Sequence, residues 1–212
     1  MAKVMIFKRF ERFWHWSQAL LIFSLLLTGF EIHGSYHVLG FADAAQLHTL
    51  AAWTLIVLWL FAIFWHITTG EWRQYMPTRK GLWAVAHYYM IGTFTGASHP
   101  YRKTSKAKHN PLQRLAYLFF KLMISPVIWV SGLLYLFYSQ WPEAPSTILS
   151  LQAVATVHTI AAFTMMIFII GHVYMTTLGH TLFSHINRWL PVTMRLMSPA
   201  KSPDTSGLRF TR

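Results

Sequence analysis

Two stretches of the chain 110 residues apart carry nearly the same text: Leu47-His48-Thr49-Leu50-Ala51-Ala52-Trp53-Thr54 and Val157-His158-Thr159-Ile160-Ala161-Ala162-Phe163-Thr164. Each sets one histidine at the start of a long apolar run, where an ionisable group is costly unless it meets a partner. Neutral imidazole is a common ligand of metal ions and of haem iron, so two histidines in matching settings fit two sides of one shared ligand. His15 and His172 stand in apolar runs of their own. His158 and His172 are separated by 14 residues, which is about 21 Å of helix and places them within roughly 40° of one helical face. One histidine in an apolar helix is more often a hydrogen-bonded packing residue than a ligand. Four that sort into two pairs are harder to explain that way.

The elements that must carry these histidines are membrane spans. Of the 212 residues 54% are hydrophobic and 11% charged, outside the usual range of a soluble globular domain. Hydropathy marks four runs of about 20 residues or more, enough to cross a hydrocarbon core of about 30 Å as helices: roughly 14–32, 45–68, 115–138 and 151–178. The first is too long for a cleaved signal and lacks an Ala-x-Ala-like exit, so it is expected to remain a span. Seventeen of the eighteen Lys and Arg fall in segments 1–13, 69–114 and 179–212, while connections 33–44 and 139–150 hold none. That asymmetry predicts cytoplasmic termini and a cytoplasmic middle loop. It also explains the net charge of +12 without a nucleic-acid partner. Lys121, the remaining base, is expected to snorkel from the cytoplasmic end of the third span. The absence of cysteine excludes disulfides, Cys-ligated iron–sulfur clusters and covalent c-type haem attachment within the chain.

The expected fold is all-α: an integral-membrane, up-down-up-down four-helix bundle with short outer connections, forming one domain over 1–197 and followed by a loosely ordered tail over 198–212. Leu82 to Met90 is expected to form a short interfacial helix. In this arrangement the second and fourth spans run in the same direction. His48 and His158 then lie at one height near the outer face, and His15 and His172 at one height near the inner face. Each pair could bracket one haem iron through axial imidazoles. His66, five turns after His48, is the rival inner ligand; His15 matches the depth of His172 better. Gly29, 14 positions after His15, would leave room for a flat ring, as would Gly132 and Gly171, although glycines also serve close helix packing in membranes. His33, His37, His87, His99, His109, His180 and His185 are expected to be solvated or interfacial.

The opening Arg9-Phe10-Glu11-Arg12-Phe13-Trp14-His15-Trp16, together with His48 and the His158/His172 pair, resembles the cytochrome b subunits of respiratory formate dehydrogenases and thiosulfate reductases, which are cytochrome b561-like. The resemblance covers nearly all of 8–190, and the cytochrome b subunits of nickel-iron hydrogenases are similar in plan. It implies two haem b groups, with His15 and His172 as ligands on the cytoplasmic side and His48 and His158 on the periplasmic side. It further implies a quinone site (menaquinone or ubiquinone) beside the inner haem. Asn110-Pro111-Leu112-Gln113-Arg114 is similar to the family's segment before the third helix, which makes Asn110 and Gln113 candidates for hydrogen bonds to a quinone carbonyl, with help from His172. By its own chemistry Asn110 also reads as a helix N-cap with Pro111 at the first helical position.

The function implied is a di-haem electron-transfer subunit of a respiratory oxidoreductase in the bacterial inner membrane. It would pass electrons between a periplasmic iron–sulfur or cytochrome subunit, itself joined to a catalytic subunit, and the quinone pool. The alternatives are a histidine-lined proton or metal-ion transporter, which would require polar groups at mid-membrane, and a haem-free anchor for an oxidoreductase.

Overall fold

Helix ends along this chain are set by residues that lie outside the apolar runs. In the computed structural model, which describes residues 7–101, 108–140 and 150–177, α1 spans Arg9–Ile32. It begins five residues ahead of the apolar run because the Lys8 N–H donates to the Glu11 carboxylate at 2.6 Å, satisfying an amide at the helix start. α2 spans Phe41–Thr69 between Gly40 (φ 87°) and Gly70 (φ 72°). Both take left-handed conformations that glycine adopts at little cost. At the start of α4, Pro111–Phe119, Asn110 Oδ1 accepts the Gln113 N–H at 2.7 Å and Gln113 Oε1 accepts the Asn110 N–H at 3.1 Å, a reciprocal capping box.

The third span is interrupted, where an unbroken helix was expected. A π-type turn over Phe120–Ile124 separates α4 from α5, Ser125–Leu136. Pro126 explains it: its ring lacks an N–H and crowds the carbonyl four residues earlier, and one wide turn absorbs the mismatch. α6 spans Leu151–Thr177. Leu82 to Met90 forms the short α3, Leu82–His87, which runs into a second π-type turn over Tyr88–Gly92. The tail over 198–212, and His180 and His185, lie outside the described residues.

Among the described residues, four helical stretches are long and apolar enough to cross a membrane: α1, α2, the combined α4–α5 stretch and α6. Ring contacts give their relative directions. Phe10 near the start of α1 packs on Phe61 and Trp65 near the end of α2, so these two run antiparallel. Trp53 of α2 meets Phe137 just past α5, and Phe120 ahead of α5 meets Phe168 of α6. Halfway along, Ile22, Leu55, Phe120, Ile124 and Met165 form a buried apolar cluster with Trp59, Ile128 and Phe168 packed against it. Trp59 Nε1 donates to Gln18 Oε1 at 3.1 Å, which satisfies the indole N–H and the amide oxygen where water is scarce. The outward faces carry Leu20, Leu27, Val57, Leu60, Ile160 and Ile167, all more than half exposed, as a lipid-facing surface requires.

Candidate functional site

The fold brings the four histidines together as two facing pairs on opposite sides of the apolar cluster. His48 of α2 and His158 of α6 have ring centroids 6.3 Å apart, with planes at 75°. His15 of α1 and His172 of α6 have centroids 6.3 Å apart, with planes at 47°. Two imidazoles bonded to one iron through metal–nitrogen bonds of about 2 Å hold their ring centres roughly 6 Å apart. Both separations fit that spacing. The donor set points the same way. Among the described residues no three of His, Asp and Glu gather around a point, so each site offers two imidazoles. That is too few for a four-coordinate free metal ion, and it is the number a macrocycle with four nitrogens of its own requires.

Tautomer matters to a ligating imidazole, since the nitrogen facing the metal must be unprotonated. His158 Nδ1 lies 3.1 Å from the Ile128 carbonyl and 3.1 Å from Ser131 Oγ. A carbonyl can only accept, so the proton is on Nδ1 and Nε2 keeps its lone pair. His48 Nδ1 lies 2.9 Å from Thr28 Oγ1. The glycines have a different role from the one expected. A Cβ on Gly29 would stand 3.3 Å from His48 Cε1, and a Cβ on Gly132 would stand 2.9 Å from His158 Cε1. They make room for the imidazoles themselves. Gly171 has nothing within 4 Å of where its Cβ would be.

The other pair sits among aromatics. His15 meets Trp16 edge-on at 5.3 Å, and His172 stacks on Phe168 at 6.3 Å with planes 10° apart. His66, the rival ligand, lies elsewhere: its Nδ1 donates to the Ala62 carbonyl at 2.6 Å, its Nε2 faces the Tyr75 hydroxyl at 3.4 Å, and its ring abuts Trp14.

One helical turn before His15, a buried charge network ties three distant segments. Lys108 Nζ contacts both Glu11 carboxylate oxygens, at 2.8 and 3.0 Å, and Glu71 Oε2 at 3.0 Å, while Lys8 Nζ reaches Glu71 Oε1 at 2.7 Å. Lys108 and Glu11 are each 4% exposed by side chain. Partial burial pushes the Glu71 carboxyl up, but hydrogen bonds from Lys8 and Lys108 outweigh it and the net pKa is lowered. Beside the network, Lys121 Nζ stands 4.0 Å over the Tyr75 ring, a cation–π contact that shelters the charge at the membrane edge. His109, expected at the interface, is buried and packed by Phe7, Tyr75 and Tyr117. His99 Nε2 contacts the Tyr89 hydroxyl at 3.2 Å, while His33, His37 and His87 are exposed.

Asn110 is fully buried, with its Oδ1 spent on the cap and its Nδ2 donating to the Tyr89 hydroxyl at 3.3 Å. Capping is thus the role the geometry gives Asn110. The cap uses Gln113 through its oxygen and backbone N–H and leaves the amide nitrogen out of the exchange. The hydroxyls of Thr28 and Ser131 and the Glu11–Lys108–Glu71 network went unnoticed in the sequence. A hydroxyl residue directly before the glycines facing these imidazoles, Thr28-Gly29 and Ser131-Gly132, was the available signal for the first. The second joins residues too far apart in sequence to leave one.

The family model described as "Prokaryotic cytochrome b561" matches residues 6–189. The Escherichia coli (strain K12) protein named "Putative cytochrome YdhU" is 29% identical over 188 residues, covering 84% of this chain and 70% of its own length. No solved structure matches the chain.

Proposed function

Because the chain belongs to the prokaryotic cytochrome b561 family of multi-pass inner-membrane electron-transfer proteins, we propose that it holds two haem b groups and links a periplasmic redox partner to the quinone pool. The observation that carries this reading is the pair of equal 6.3 Å imidazole separations, one on each side of the apolar cluster. With the basic loops in the cytoplasm, His48 and His158 form the outer site and His15 and His172 the inner one. The haems, when bound, supply reversible one-electron chemistry. The chain's own residues do the rest. Four imidazoles would hold the two groups, and Thr28, Ile128 and Ser131 keep the outer two in the ligating tautomer. Ile22, Leu55, Ile124 and Met165 keep water out of the layer between the sites, where a low dielectric would make a stray charge costly.

Quinone is proposed to bind at the cytoplasmic edge, beside the inner pair and the start of α4. Asn110 shapes the wall by capping, and Gln113 is the amide available to a quinone carbonyl. The outer partner is an iron–sulfur or cytochrome subunit of a respiratory oxidoreductase, which meets the connection between α1 and α2. Glu31 organises that connection by accepting the backbone N–H groups of Val38, Leu39 and Gly40 on one carboxylate oxygen.

The test uses purified full-length protein in lipid vesicles. A reduced-minus-oxidised spectrum should show b-type bands, and a menaquinol analogue should reduce them, more slowly in Gln113→Leu. A protein without b-type bands overturns the proposal. Bands that no quinol reduces remove the quinone half of it.

A further inference from the structure

The outer site is built twice from one device. On α1 it consists of Thr28 and then Gly29, both against His48. On α5 it consists of Ser131 and then Gly132, both against His158, with the Ile128 carbonyl beside them. Each hydroxyl spends its own proton one turn back along its helix: Thr28 Oγ1 donates to the Ser24 carbonyl at 2.8 Å, and Ser131 Oγ to the Val127 carbonyl at 2.6 Å. A hydroxyl so engaged can only accept from a neighbour. Each Nδ1–H is therefore donated to a hydroxyl oxygen, shared at His158 with the Ile128 carbonyl, and the glycine lets the ring lie close enough. The inner imidazoles stand beside Trp16 and Phe168.

We infer that Thr28 and Ser131 are paired positioning residues that tune the outer haem. By accepting the Nδ1 proton they raise the basicity of the two axial imidazoles and fix their ring orientation. A more basic imidazole favours oxidised over reduced iron, so the two hydroxyls hold the outer midpoint potential down. This inference rests on the two-haem reading. A wild-type protein without b-type bands fails that reading, whereas one with two haems and an insensitive outer potential fails this inference alone.

The experiment is a spectroelectrochemical titration of full-length Thr28→Val, Ser131→Ala and the double variant, with the outer component identified as the one missing from His48→Ala. Each single variant should move the outer midpoint potential to a more positive value. The double variant should move it by about the sum, since the hydroxyls act on different imidazoles. The inner component should stay where it is, and Thr28→Ser, which restores an acceptor, should return the outer one to its wild-type value. An outer potential unmoved in Thr28→Val and Ser131→Ala overturns the inference, as does an equal shift of both components. If Thr28→Val loses the outer haem, retention in Thr28→Ser supports the role of the hydroxyl, and loss there too overturns it.

Discussion

The two histidine pairs share a 6.3 Å separation but are supported by different parts of the chain. The outer pair is held by its helical neighbours, through hydroxyls repeated in register on α1 and α5 and a backbone carbonyl on α5. Support for the inner pair comes from afar. Glu11, one turn before His15, meets Lys108 across 97 residues of sequence, and Lys108 meets Glu71 across 37. The outer site is thus a property of two helix hairpins, while the inner site depends on how the middle loop docks beneath the bundle.

The most severe way to separate them is to delete a ligand from each. His172→Ala should remove one haem and leave the outer component, and His48→Ala should do the reverse, as read by haem content and redox titration of each variant. If either change removed both haems, the sites would not be independent.

A smaller effect is expected from Lys108→Met. It leaves Glu11 and Glu71 close together without their shared cation, and breaking a buried ion pair by removing one partner costs about 3–5 kcal/mol. On heating, the inner haem signal should be lost at a lower temperature than in the wild type and ahead of the outer signal. Loss of both together at the wild-type temperature would show that the network does not serve the inner site.

Within the outer site the two halves are unequal. A Cβ on Gly132 would come within 2.9 Å of its imidazole, against 3.3 Å for Gly29. Overpacking of this kind costs about 1–3 kcal/mol, so Gly132→Ala should lower outer haem content more than Gly29→Ala. Equal retention in the two spectra would mean that the rings have slack.

Acidification should produce the mildest asymmetry. The folded-state pKa of Glu71 is depressed, so its contribution to stability is fully present above the unfolded value of about 4.3 and is lost as pH falls through the lower folded value. Inner haem retention, followed spectroscopically from neutral pH downward, should decline in that window, and Glu71→Gln should abolish the dependence.

The sequence made the outer pair legible because helix periodicity and a repeated His-Thr-[Leu/Ile]-Ala-Ala text both act locally. The Asn110 cap was legible for the same reason. Thr28 and Ser131 were not, because a hydroxyl in a membrane helix ordinarily bonds to its own backbone. These two do that as well, and their accepting side acquires meaning once α2 and α6 lie alongside. Counting charges gave Lys108 a place among the loop bases, whereas the fold turns it inward to two carboxylates. The wide turn ahead of Pro126 could have been read from the proline, but hydropathy averages over it. The repeat also stops where the chemistry changes: its register sets His172 opposite Ala62, whose carbonyl serves His66, and the inner site draws on His15 of α1 instead.

Haem b per polypeptide in the purified wild-type protein, measured by pyridine haemochrome against amino-acid analysis, tests the central claim most directly. The account predicts two. A value of one or none would contradict it.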